Sequence, residues 1–115
     1  MFATVLAQEG ACEPMYLRFS RFRLKPDREA EGSALLRRHA DAVARADGCE
    51  RAWLAQGQHP SSEFVIVALF RDEQSLRAFE GRLRSDPALG SDQFALLGLT
   101  VRPPELTEYA VLSGT

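Results

Sequence analysis

The sequence predicts an α+β fold in which a four-stranded antiparallel sheet carries two helices on one face. Three observations predict it. Glu63–Phe70, EFVIVALF, is apolar on both alternating faces, so it reads as a central strand that needs cover on each side. A strand-like alternation, a helix-period stripe and a second strand come before it, and a helix-period segment and another apolar run come after. Turn and cap residues fall between these segments and not within them.

Taken in order, Met15–Lys25, MYLRFSRFRLK, alternates as a strand. Ser20, Phe22 and Leu24 share one face; Leu17, Phe19, Arg21 and Arg23 share the other. Pro26 cannot continue the ladder. Asp27 has the chemistry of a helix N-cap, and Glu29 and Glu31 suit the first turn, where carboxylates complement the dipole. This helix is expected from about Arg28 to Ala46, with Gly48 as the left-handed residue beyond its end. Leu35, Leu36, His39, Ala42, Val43 and Ala46 form its apolar side, opposite Arg37, Arg38, Asp41 and Arg45. Cys49–Gln56 is a second strand, and the loop Gly57–Ser62 returns it as a hairpin into the central strand. Asp72 caps a second helix whose buried side is Leu76, Phe79 and Leu83. Asp86-Pro87 restarts a short helical segment to about Gln93. Ala95–Val101, ALLGLTV, is then expected as the fourth strand, and Tyr109–Leu112 as a last short one.

The order β-α-β-β-α-β is the ferredoxin-like arrangement, with both helices on one sheet face. The third and fourth strands are expected to be apolar on both faces, so the other face needs cover as well. A homodimer packed sheet against sheet supplies it.

Composition narrows the classes. With 115 residues, 45% of them hydrophobic, this is one domain with a real core; a formal charge of −2 with interspersed signs excludes a nucleic-acid stripe or a membrane-binding face. The apolar run Phe2–Ala7 is far too short to span a bilayer and lacks a basic flank. Residues 1–14 read as an N-terminal arm or short extra strand, and 15–115 as the domain. Cys12 and Cys49 are too few for a disulfide framework, which fits free thiols in a reducing cytoplasm. Neither metal-ligand spacing nor a phosphate loop is visible, so no cofactor is expected.

Three segments, RFRLKPD, ADGCERAWL and FVIVALFRDEQSLRAF, together resemble the antibiotic biosynthesis monooxygenase domain, a dimeric α+β barrel. That family has a strand ending in Lys-Pro-Gly, a Gly-Cys-like turn after the first helix, and an aliphatic strand closing in Trp. Here Asp27 stands for the Gly, Gly48-Cys49 match, and Phe70 replaces the Trp. The resemblance implies a ligand pocket between sheet and helices. It implies three kinds of function. The first is a cofactor-independent monooxygenase acting on a small aromatic or quinol-like substrate. The second is a non-catalytic barrel that binds a small apolar ligand. The third is haem binding and degradation. For the last, Ser20 falls at the family's Asn, Phe79 at its Trp, and residues such as Asp92 where the iron-ligating His belongs.

His39 is the sharpest catalytic candidate, because an imidazole in the apolar stripe is aimed at that pocket and titrates near neutrality. The plain alternative is a core histidine held by a hydrogen bond. Ser20 is a candidate hydrogen-bond partner for a ligand, and Phe22, Trp53, Phe70 and Phe79 are candidate walls for a planar one. Serine on a strand is more often structural, the phenylalanines also suit plain core, and Trp53 equally suits a dimer interface. Arg21, Arg23, Arg51 and His59 read as ion-paired or solvated. Cys49 reads as packing, since nothing near it in sequence lowers a thiol pKa.

Overall fold

The protein is described by a computed structural model covering residues 13–114. Its elements are β1 (Tyr16–Arg23), α1 (Glu29–Ala44), β2 (Cys49–Gln56), β3 (Glu63–Phe70), α2 (Glu73–Ser85), α3 (Pro87–Leu99) and β4 (Glu105–Ala110). The sheet order is β2-β3-β1-β4, and every pairing is antiparallel. This is the expected ferredoxin-like α+β sheet, with the short helical segment expected after α2 extended into a full third helix. The proposed arm or extra strand of residues 1–14, like Cys12, lies almost entirely outside the described residues.

The alternation of β1 and β3 sets the inner face. Ser20 pairs with Ile66, and Phe22 with Phe64, and all four are buried. Gly48 does adopt a left-handed φ of 84°, and a Cβ there would collide with the Ser75 side chain. Asp72 caps α2 by accepting from Ser75 N at 2.8 Å.

Three boundaries differ from the sequence expectation. Asp27 is not the cap of α1: Arg28 occupies that position with no side-chain cap bond, and pairs instead with Glu31. The helix also stops at Ala44, two residues short. Most consequential, Ala95–Leu99 is helical. Asp86 does cap α3, accepting from Ala88 N at 3.0 Å, with Pro87 in the first turn. The helix then continues six residues past Gln93, because Leu89, Asp92, Leu96 and Leu99 recur at helical spacing toward the core. Its outer side is apolar too, with Phe94 and Leu97 exposed, so no polar stripe marks the period. Thr100 contributes only an isolated bridge to Leu24. The fourth strand is instead Glu105–Ala110, which is not apolar on both faces, and the expected strand Tyr109–Leu112 overlaps only its end.

Two apolar clusters fill the space between sheet and helices. One holds Phe22, Leu36, Phe64, Ile66, Leu96 and Leu99; the other holds Val43, Phe70, Leu76, Phe79, Leu83 and Leu89. Among the described residues, no helix covers the opposite sheet face. There Trp53 pairs with Val67, and Phe19 stacks edge-on against Tyr109 at 5.5 Å.

Candidate functional site

On three of the elements that reach both clusters, α1, α3 and β1, a polar side chain marks the change from one to the other; on β3 the change from Ile66 to Ala68 has none. On α1 it is His39, between Leu36 and Val43. On α3 it is Asp92, between Leu89 and Leu96. On β1 it is the pair Arg18 and Ser20, beside Phe22. All four are buried. Polar groups are rare in such positions unless something satisfies them.

His39 Nδ1 lies 3.4 Å from Asp92 Oδ2, and among the described residues it has no hydrogen-bond partner. That separation is beyond a well-formed charge-assisted bond. The other carboxylate oxygen of Asp92 accepts from Arg38 at 2.8 Å, so the carboxylate is held in place from the solvent side. Burial pushes the His39 pKa below its ordinary value; Asp92 opposes this shift, while Arg18 and Arg38 reinforce it. His39 is therefore a neutral imidazole at neutral pH, able to accept a proton. Arg18 donates to Ser20 Oγ at 2.8 Å and lies over the Phe79 ring, 5.4 Å from its centroid.

A groove of about 430 Å³ spans both clusters, lined on its floor by Phe22 and Leu96 from one and Leu83 from the other, with Gln93, Phe94 and Arg84 at its sides; none of the four buried polar residues is in its lining. Its size and apolar lining suit a small ring system. A second groove, of about 510 Å³, runs between α1 and α3 past Leu35 and Arg38. His39 lines neither groove, so the imidazole stands behind the groove walls in this conformation.

Of the sequence-derived candidates, Ser20 and Phe79 both meet Arg18, Phe22 lines the groove, and His39 faces Asp92. Phe70 is fully buried and packs on Phe79 with ring centroids 5.2 Å apart, in the second cluster. Trp53 does not join them. A register shift between Cys49 and Arg51 sets the facing of β2, and Trp53 points to the uncovered face, under Arg51 at 4.9 Å. Two residues were missed. Arg18 shares the parity of Ser20 and Phe22, so extending the alternation one step back would have found it. Asp92 stands out in sequence only by its place where the haem branch has its ligating His; nothing there marks it as the partner of His39.

Comparison with known proteins gives the lineage. The family model described as antibiotic biosynthesis monooxygenase matches residues 15–84, more than half of the chain. The chain belongs to this antibiotic biosynthesis monooxygenase family. The match runs from β1 to α2 and so contains Arg18, Ser20 and His39, while Asp92 and the α3 side of the groove lie beyond it. Among solved structures, the chain is similar to Rv0793 from Mycobacterium tuberculosis, at 23% identity and a TM-score of 0.74, covering 87% of this chain and 97% of that one. It is also similar to SnoaB from Streptomyces nogalater, a cofactor-independent oxygenase, at 21% identity and a TM-score of 0.72, covering 88% and 96%. A conserved protein from Methanosarcina mazei matches at 17% identity and a TM-score of 0.73, covering 86% and 94%. At these identities the likeness concerns the fold. No curated sequence matches the chain significantly. Among the described residues, no helix is long and apolar enough to cross a membrane.

Proposed function

We propose that this family member is a cofactor-independent monooxygenase that acts on a small aromatic or quinol-like substrate, with His39 as its base. The observation that carries the reading is a buried, neutral imidazole facing a fixed carboxylate, in a molecule whose two flanking apolar clusters both contribute to a ring-sized groove. The family match and the fold shared with SnoaB, itself a cofactor-independent oxygenase, support the reaction class.

Asp92 Oδ2 favours the tautomer with its proton on Nδ1, which leaves Nε2 as the acceptor. The substrate ring lies along Phe22, Leu83 and Leu96. A proton leaves its acidic C–H or O–H for His39, and the electron pair stays on the substrate. The resulting carbanion or phenolate reduces dioxygen directly. For a doubly activated CH₂, one oxygen atom becomes the C=O of the product and the other leaves as water, so the substrate supplies all the electrons. Positioned general-base catalysis contributes about 10²–10⁴-fold.

The uncovered sheet face, with Phe19, Trp53, Val65, Val67, Leu69 and Tyr109, supports a homodimer packed through it. The Cys49 thiol, which is free and raised in pKa first by burial, fits a reducing cytoplasm.

Oxygen uptake with a panel of anthrones, phenols and quinols tests the activity. Wild type consumes oxygen with at least one of them, and His39→Ala reduces the rate at least about 10²-fold while the circular-dichroism spectrum is kept. Uptake unchanged in His39→Ala removes the residue from the mechanism. Binding without turnover in wild type assigns the protein to the non-catalytic ligand binders, and a Soret shift on haem titration assigns it to the haem branch.

A further inference from the structure

Arg18 is a buried cation that the proton transfer leaves without a task. Its residue exposure is only 7%. A guanidinium presents five N–H donors. One hydrogen bond goes from Nη1 to Ser20 Oγ, while Nε has no hydrogen-bond partner among the described residues. The nearest acid, Glu80, stands 3.5 Å from Nε. Glu80 is also held by Arg77 at 2.8 Å, and the same Arg77 nitrogen holds Glu108 at 2.9 Å. Glu108 is the cross-strand partner of Arg18 on β4. The acids beside Arg18 are therefore shared with an outer arginine. Burial lowers the Arg18 pKa, against the pull of Glu80, yet a guanidinium stays charged. A buried charge with spare donors is costly unless an anion completes its shell.

Arg18 itself lines neither groove, and its neighbours are what connect it to the apolar one. Ser20, which Arg18 touches, precedes Phe22 on the same face, and Phe22 is on the groove floor. Phe79, under the guanidinium, lies one helical turn before Leu83, also on the floor. Arg18 is also close enough to His39 to depress its pKa.

We propose that Arg18 binds the substrate oxygen as an anion, so that the substrate is a phenol or enol whose oxygen is conjugated to the carbon that is oxidised. This rests on the reading of groove and polar seam as one substrate site. The O–H bond breaks, its proton goes to His39, and the electron pair stays on oxygen against the Arg18 fork. Developing negative charge in a water-poor site gains most from a fixed donor of this kind.

The test compares two probes of nearly the same shape, 4-nitrophenol, which ionises near neutrality and reports its phenolate by absorbance, and its methyl ether 4-nitroanisole. Wild type binds the phenolate at least about tenfold more tightly than the ether, and lowers the pH at which the bound phenol ionises by about one unit or more. Arg18→Met abolishes the preference and leaves ether binding within about twofold. Equal affinity for the two probes in wild type overturns the proposal, whether or not the variant folds. So does a preference that survives in Arg18→Met, and so does failure of wild type to bind either probe at millimolar concentration. A phenolate preference without oxygen uptake on any substrate leaves the Arg18 assignment standing and removes the oxygenase reading. Uptake without the preference does the reverse.

Discussion

At position 39 an imidazole occupies a place in the α1 stripe that an aliphatic side chain would otherwise fill. The helical wheel alone made His39 conspicuous. Its partner was not legible, because Asp92 is far away in sequence and the two meet only through the packing of α3 on α1. The lowered His39 pKa has a consequence for stability. A histidine held neutral by burial stabilises the fold fully above its ordinary value of 6.5, and that contribution is lost as pH falls toward the lower folded value. Urea midpoints measured from pH 7.5 down to 5 should therefore fall more steeply in wild type than in His39→Gln, which cannot titrate. Asp92→Asn separates positioning from structure. Removing the carboxylate takes away the interaction that raises the His39 pKa, so the acid limb of kcat/KM moves to lower pH. Turnover falls about 10²-fold as the imidazole loses its orienting partner. A purely structural Asp92 would lower stability without moving the limb.

Among the elements, β1, the β2–β3 hairpin and α2 were legible because each has one buried and one wetter face, or a cap with a clear side-chain acceptor. The end of α3 was not. A run such as Ala95–Val101 is apolar on every side, and an apolar run of that length reads equally as a buried strand. The strand β4 was obscured for the opposite reason: ELTEYA lies at the sheet edge with most of its side chains exposed, so no hydrophobic pattern announces it. Ala95→Pro tests the helix. It removes an interior hydrogen bond and clashes with the preceding turn, at a cost of about 3 kcal/mol in denaturant unfolding. A change below about 1 kcal/mol would mean that the helix does not continue past Gln93. The groove depends on this element, since Phe94, Leu96 and Leu97 all come from the part of α3 that the sequence pattern missed.

For the whole molecule, the sheet separates two jobs. Its inner face carries the polar seam and its outer face the uncovered Trp53, Val67 and Phe19 layer. Two strands apolar on both faces would leave a sheet face that only a second copy covers. Only β3 has that character, yet β1 and the exposed Trp53 and Tyr109 supply the rest of the patch. Light scattering after size exclusion should give a dimer at micromolar concentration, and Val67→Arg should give a monomer, because a charge at the centre of that face has no partner. The fold itself should survive, since Val67 lies outside both clusters. The central claim is that the polar seam runs an oxygenation in which the substrate itself reduces dioxygen. Mass spectrometry of the product formed from isotopically labelled dioxygen and an anthrone tests it most directly, with flavin and metals removed from the buffer. One labelled oxygen atom is expected in each product molecule, formed by wild type and lost in His39→Ala. Product without label, or labelled product formed as fast by His39→Ala, would contradict it.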